Sequence, residues 1–378
     1  MKFFAAVAAS LLSTAVAGGV RGDVPRVVSP EVHGDHSVSF RVYAPNAKQV
    51  LLSLESAPTL PLHQDGTGVW SVTTSPLEAD YYNYGFVIDG LGFSDPGNPI
   101  TRPNLFWPAS ILHVPGSADL LWEQSDVPHG ELHHHFYHSA IGGDDRDYWV
   151  YTPPGYAPGN NRRYPTLYLL HGFSDDASAW TVVGRANVIL DNLMARHRAK
   201  PMVVVMPWGY GSGKILSVGH QSGGNMHSGG DAPVAENTRL FEQELFAEVM
   251  PRIEQEYAVN RARDDRAITG SSMGGGEALQ TALNHADRFG WVGSFSAGGL
   301  TADIPGMFPD VRTEVARHPL KLVWIACGRE DPLYPRTQQL RQYFTSQGIP
   351  HVDVDTPRAH VWQVWRRNLG EFLPLLFR

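Results

Sequence analysis

Cysteine is nearly missing: Cys327 is the only one in 378 residues. A single thiol excludes an intramolecular disulfide and any zinc site built from several cysteines, and its expected state is buried and inert. Positive charge is also in short supply, with Lys+Arg 30 against Asp+Glu 38 and a net charge of −8. With no long basic run to displace counterions from a phosphate backbone, no nucleic acid partner is expected. Nor does any stretch reach the roughly 20 apolar residues that cross a bilayer, so no membrane partner is expected. What is abundant is turn-forming residues, Gly 38 and Pro 28, beside 42% hydrophobic and only 18% charged positions. The chain is therefore loop-rich, can bury a large core, and is long enough for two domains.

The first residues, MKFFAAVAASLLSTAVAGG, carry one positive charge at Lys2, a short apolar stretch, and Ala15 and Ala17 in an A-x-A arrangement. Ser10, Ser13 and Thr14 interrupt the apolar run, so a secretory signal over residues 1–17 is expected rather than an anchor. The mature protein is accordingly expected to be secreted or periplasmic.

Residues 24–116 read as short alternating strands: Ser37–Tyr43, Gln49–Leu54, Val69–Thr73, Tyr81–Ile88 and Ser110–Val114, with Gly, Pro and Asp between them. That pattern predicts a β-sandwich. The runs FRVYAPNA from Phe40, GVWSV from Gly68, YGFVIDG from Tyr84, and Asp95-Pro96 resemble the early-set immunoglobulin-like module classed with the family forty-eight carbohydrate-binding modules. The resemblance implies fold more than ligand, because Trp70, Tyr81, Tyr82 and Tyr84 serve equally well as core residues.

A linker over 117–127 leads to a segment with His129, His133, His134, His135 and His138. If it is a strand, alternate histidines point to opposite faces, and no Cys or H-E-x-x-H pattern completes a site; no metal is expected. From 128 onward short apolar runs alternate with helical stretches: Thr166–Leu170, Met202–Met206, Ala267–Thr269, Trp291–Phe295, Lys321–Ala326 and His351–Val354. Buried parallel strands look like this, and the alternation predicts a doubly wound α/β domain over 128–378. Phe241, Leu245, Val249, Ile253 and Tyr257 make a one-sided stripe on one helix, which Pro251 is expected to kink.

Gly270-Ser271-Ser272-Met273-Gly274 is the chain's one G-x-S-x-G, set between a strand and a helical pattern. Glycines permit the tight turn that lifts a serine hydroxyl above a sheet, at a helix N-terminus that favours developing negative charge. Serine needs a base, and the base an acid to fix its tautomer. In the order Ser, acid, His, the histidine is His360, on the loop after the last strand. The acid is Asp331, at the C-terminal edge of a strand where such sheets bind ligands, with Glu330 as its rival and Asp353 and Asp355 as weaker ones. Backbone N–H groups of Phe173 and Met273 are placed to receive the oxyanion.

These motifs resemble the esterase D group of α/β-hydrolases, and most closely the carbohydrate esterase family one feruloyl and acetylxylan esterases. The residues that carry it are YTPPGY from Tyr151, YLLHGF from Tyr168, Trp180, GRANVILDNL from Gly184, GSSMGG from Gly270, CGRED from Cys327, and AHVW from Ala359. The resemblance implies an α/β-hydrolase fold after the sandwich, with Ser272 as nucleophile, His360 as base and then acid, and Asp331 orienting it. It also implies Gly172, Trp180 and Trp362 at the substrate and no metal or organic cofactor. The expected activity is hydrolysis of feruloyl esters of plant polysaccharide. Acetylxylan or siderophore (enterobactin-type) esterase activity are the alternatives, and a non-catalytic polysaccharide-binding protein is a more distant one. Arg358-Ala359 stands where many relatives have glycines, which narrows the freedom of the histidine loop.

Two further segments stand out. The glycine-rich run 209–231 is expected to be a long loop over the cleft, with His220 and His227 exposed rather than catalytic. The aromatic, Pro-rich stretch Phe93–Trp107 is expected to reach from the sandwich over the cleft as an aromatic wall.

Overall fold

The computed structural model describes residues 25–159 and 161–378; the secretory signal expected over 1–17 lies outside them. Among the described residues the N-terminal strands form a four-stranded and a five-stranded antiparallel sheet. Alternation decides which side chains meet between them: Val38, Phe40, Val42, Val50, Leu52, Leu54, Tyr82, Tyr84, Phe86 and Leu112 are buried in one cluster. Trp70 belongs to that core and donates its indole N–H to Ala44 O at 2.9 Å, so the sandwich uses it for packing. The immunoglobulin-like sandwich is thus the structure of this part of the chain.

The C-terminal domain is an α/β-hydrolase fold. Its sheet has eight strands, Glu131–Ser139, Asp144–Thr152, Thr166–Leu170, Val203–Pro207, Arg266–Gly270, Trp291–Phe295, Leu322–Gly328 and Val352–Thr356. Numbered in chain order they lie in the spatial order 1-2-4-3-5-6-7-8. Five-residue strands such as TLYLL and VVVMP are buried at every position, because helices cover both faces. Phe241, Leu245, Val249 and Ile253 face this sheet, all at most 1% exposed. The kink expected at Pro251 appears as a π-helical turn over Leu245–Val249, followed by helix Met250–Glu256. Proline has no N–H to close the regular ladder, and the preceding turn widens.

Of the His-rich segment, the strand Glu131–Ser139 is paired with Asp144–Thr152 and His129 lies just before it; the rings have separate partners. His129 meets Asp191 at 2.9 Å, His134 meets Asp147 at 2.6 Å, His135 meets Tyr257 at 2.5 Å and His138 meets Asp145 at 2.9 Å. The connector over 117–127 is packed: Asn192 donates its amide to Leu121 O and Glu123 O, both at 2.8 Å. Cys327 is buried, and burial pushes its thiol up to about 11, which makes it a poor nucleophile.

Helix Trp362–Phe372 lies between the large sheet and sandwich strand Asp80–Ile88. At that junction Asp80, 1% exposed, accepts from Arg366 Nη2 at 2.7 Å, from Arg366 Nε at 3.1 Å and from Arg367 Nη1 at 2.6 Å. Arg366 is fully buried and spends its other donors on Val183 O at 2.8 Å and Tyr81 O at 2.6 Å. Removing one partner leaves the other charge buried and unmet. Asp80→Ala is therefore expected to lower stability by about 3–5 kcal/mol, as read by urea unfolding; a change within about 0.5 kcal/mol, the range of ordinary surface substitutions, would contradict this account of the junction.

Candidate active site

The strand Arg266–Gly270 runs between two parallel neighbours and ends in a sharp turn before helix Met273–Asn284. At the turn Ser272 has φ 53° and ψ −120°, a conformation that costs a non-glycine residue about 1–3 kcal/mol. Four hydrogen bonds over-determine it: Ser272 N–H donates to Phe295 O at 2.9 Å, and Ser272 O accepts from Gly298, Gly275 and Gly276 at 2.7, 2.9 and 3.1 Å. The flanking glycines are there for space. A Cβ on Gly274 would sit 2.5 Å from His171 O, and one on Gly270 would sit 2.6 Å from the backbone of Gly274.

Ser272 Oγ lies 2.9 Å from His360 Nε2, and His360 Nδ1 lies 2.8 Å from Asp331 Oδ2. An ionised carboxylate only accepts, so Nδ1–H is the donor to Asp331 and Nε2 is free to take the serine proton. The Asp331 side chain is fully buried. Burial pushes its pKa up, but the hydrogen bond and charge of His360, the Leu333 amide at 2.8 Å and the Ser296 hydroxyl outweigh it, and the net direction is down. Among the rivals, Glu330 is exposed. Asp353 and Asp355 pair with Arg341 at 3.2 and 2.7 Å instead. The rings of Trp365 and His360 meet edge to face, with centroids 4.9 Å apart and planes at 88°.

Met273 opens the elbow helix, where N–H groups lack intrahelical acceptors, and Phe173 lies on the turn after Thr166–Leu170. Neither amide has an acceptor among the described residues. The buried His171 orders that turn: its Nδ1–H donates to Gly172 O at 2.9 Å, and Gly209 N–H donates to its Nε2 at 2.9 Å. Burial lowers the pKa of this imidazole, consistent with a neutral ring that donates on one side and accepts on the other. A trans peptide points its C=O and N–H in opposite directions, so with Gly172 O fixed on the ring, the N–H of Phe173 faces away from it. Gly172 itself lies against the nucleophile, since a Cβ there would be 3.3 Å from Ser272 Cβ.

The structure corrects the placement of Trp180 and Trp362 at the substrate. They are 0% and 1% exposed and meet edge to face at 5.0 Å in the core. Trp180 spends its indole N–H on Leu170 O at 2.8 Å. Both support the site from below, where large flat rings fill volume. The run 209–231 is corrected too: Gly213–Gln221 is a helix capped by Ser212, and the next helix begins at Asp231. His220 on it is exposed and His227 is half-buried.

The sandwich contributes more than sequence reading finds, for it contacts both loops of the site. On one side Leu105 N–H donates to Ser174 O at 2.7 Å, and Asp175 accepts from Arg102 at 2.6 Å and Asn104 at 2.9 Å. Phe106 packs on Phe173 at 5.5 Å and near His220 at 5.7 Å. On the other side Glu55 Oε1 accepts from Trp362 N–H at 2.9 Å, and Ser56 Oγ donates to Gln363 at 2.5 Å. Glu55 thereby caps the helix that follows His360, a role its N-cap Val361 cannot fill. Arg358 has φ 79°, the region that favours glycine, and is held by an ion pair with Glu78. The contacts of Arg102, Asn104, Leu105 and Phe106 fall in the stretch Phe93–Trp107, expected to reach over the cleft, whereas those of Glu55, Ser56 and Glu78 have no comparable signal in the sequence.

The model of a putative esterase family matches residues 139–376, and that of carbohydrate-binding module 48 (isoamylase N-terminal domain) matches 28–102. An endo-1,4-beta-xylanase/feruloyl esterase of Xylanibacter ruminicola is 30% identical over 92% of this chain and 46% of its own length. This chain thus spans less than half of that relative. An esterase of Mycobacterium tuberculosis is 26% identical over 91% of this chain and 81% of its own length. Among solved structures, a ferulic acid esterase of Anaeromyces mucronatus shares the fold with TM-score 0.56 at 21% identity, covering 69% of this chain and 96% of its own. The enterobactin esterase of Shigella flexneri does so with TM-score 0.64 at 18% identity, covering 89% of this chain and 92% of its own.

Two variants test the assembly. The lowered pKa of Asp331 means that its ionised form stabilises the fold above its ordinary value of 3.8 and that this contribution is lost as pH falls through the lower folded value. Asp331→Asn is expected to cut ester hydrolysis by about 10⁴ and to be less stable than the parent at neutral pH, with the gap closing in acid; a stability gap independent of pH would contradict the assignment. Glu55→Ala is expected to lower kcat by about tenfold to a hundredfold through a displaced His360, with KM little changed and Glu55→Gln recovering part of the loss. A purely structural role would lower folded yield and leave kcat per folded molecule intact.

Proposed function

The chain belongs to the esterase family, and from that premise we propose that it is an exported serine esterase that hydrolyses hydroxycinnamoyl esters, feruloyl esters foremost, of plant cell-wall polysaccharide. The observation that carries the reading is the continuous relay from Ser272 through His360 to buried Asp331, beside two backbone amides with no acceptor of their own.

In this reading His360 Nε2 takes the Ser272 proton as Oγ adds to the ester carbonyl. Charge that develops on the carbonyl oxygen is met by the N–H groups of Phe173 and Met273, each worth about a hundredfold to a thousandfold in rate. Asp331 stabilises the imidazolium, which then protonates the departing alcohol and leaves an acyl group on Ser272. Water, deprotonated by the same imidazole, adds to the acyl carbonyl, and the imidazolium returns that proton to Ser272 Oγ as the bond to it breaks and the acid leaves.

The feruloyl preference is supported by a relative that matches over 92% of this chain, a xylanase/feruloyl esterase. A siderophore ester is the second reading, because the enterobactin esterase shares the fold across 89% of this chain, sandwich included. Export rests on the sequence of residues 1–17.

Hydrolysis of methyl ferulate beside 4-nitrophenyl acetate tests the reading, with the protein taken from culture fluid or periplasm and its N-terminus read after Ala17. The expected outcome is a higher kcat/KM on methyl ferulate and loss of both activities by about 10⁴ to 10⁶ in Ser272→Ala. Acetate turnover alone would replace the feruloyl reading with an acetyl esterase. Full activity in Ser272→Ala would overturn the mechanism.

A further inference from the structure

We infer that Ser296 is a positioning residue for the reaction at Ser272: its hydroxyl joins Trp365 to Asp331 and so fixes both groups that bear on the His360 ring. The inference rests on the serine esterase reading above and adds a residue that acts through the acid and the base without touching the ester.

Ser296 follows directly on the strand Trp291–Phe295, beside the strand Leu322–Gly328 that leads to Asp331. On one side Phe295 O accepts from Ser272 N–H at 2.9 Å, and on the other Ser296 N–H donates to Ala326 O at 2.7 Å. Its φ is 55°, in the region that favours glycine, and a serine persists there only where something outweighs the cost. Glycine would adopt this backbone freely, and the chain uses one at Gly299, with φ 64°. What glycine lacks is a hydroxyl.

Ser296 is fully buried, so its partners are protein groups. Trp365 Nε1–H donates to Ser296 Oγ at 3.2 Å, which leaves the hydroxyl its own proton to give. Two titratable side chains reach it, Cys327 and Asp331. Burial pushes the Cys327 thiol up to about 11 and keeps it neutral, whereas the Asp331 carboxylate is held ionised. A charged acceptor makes the stronger bond, and the proton goes to Asp331. The carboxylate then faces Leu333 N–H at 2.8 Å, His360 Nδ1–H at 2.8 Å and the Ser296 hydroxyl. Trp365, held by the same hydroxyl, sets its ring against that of His360. The histidine is thus constrained through its Nδ1 and by an aromatic neighbour, and both constraints pass through one oxygen.

The test compares Ser296→Gly and Ser296→Ala with the parent on 4-nitrophenyl acetate. Both lose the hydroxyl, but only alanine keeps the backbone cost, so Ser296→Gly is expected to be the more stable of the two. The expected result is a fall in kcat of about tenfold to a hundredfold in both variants, with KM little changed. Urea unfolding across pH gives a reading independent of turnover. The hydroxyl favours ionised Asp331, so its loss weakens the fold above the ordinary value of 3.8, and this part of the loss disappears as pH falls through the lower folded value. An unchanged kcat, or a loss of stability that is the same at every pH, overturns the inference. If the parent's activity survives in Ser272→Ala, the esterase reading fails instead, and the unfolding series alone decides whether Ser296 acts on Asp331.

Discussion

A serine in the left-handed region of backbone space does not stay there unaided, and the hydrolase domain is arranged around holding one. Ser272 is pinned by hydrogen bonds from the next strand and from the first turn of its own helix. The glycines at 270 and 274 let the neighbouring strand end and the His171 carbonyl come within distances no side chain would tolerate. With that turn fixed, the hydroxyl, the Met273 amide and the Phe173 turn have one relative placement. The strain is local, and the parallel sheet on either side meets its cost.

The second constraint is that His360 sits on a loop, and loops do not hold catalytic geometry alone. Here the holding is done from another domain. Glu55 caps the helix behind the histidine, Glu78 pairs with the strained Arg358, and Asp80 anchors Arg366 and Arg367 farther along. On the opposite side Arg102 and Asn104 fix Asp175, three residues beyond Gly172 in the turn that presents the Phe173 amide. The sandwich therefore acts on both the base and the oxyanion side, which a detachable binding module would not do.

Much of this was legible in the sequence, and the reasons it stopped where it did are physical. Strands announced themselves by short apolar runs or alternation, and Val69–Thr73, Ser110–Val114, Thr166–Leu170 and Trp291–Phe295 have the bounds their patterns predict. The order Ser, acid, His along the chain pointed to Ser272 and His360 but left Glu330, Asp353 and Asp355 as rivals of Asp331, which was favoured partly on the family resemblance. The structure brings Ser272, His360 and Asp331 within hydrogen-bond reach. Trp180 and Trp362 were misplaced because an aromatic near a motif carries no sign of which way it faces. Helix Gly213–Gln221 was hidden by its glycines, at least one of which serves close packing: a Cβ on Gly219 would lie 2.3 Å from the Phe173 ring. The contacts of Glu55 and Asp80 join residues 307 and 286 positions apart, and no local period encodes a pair that distant.

The central claim is that Ser272, placed by its strained turn, carries the acyl group between the two halves of the reaction. The most direct measurement is mass analysis of the protein quenched in acid during turnover of methyl ferulate, followed by peptide mapping. The account predicts one feruloyl group added to the peptide that contains Ser272 and none in Ser272→Ala. A feruloyl adduct on any other residue, or on Ser272→Ala, would contradict it.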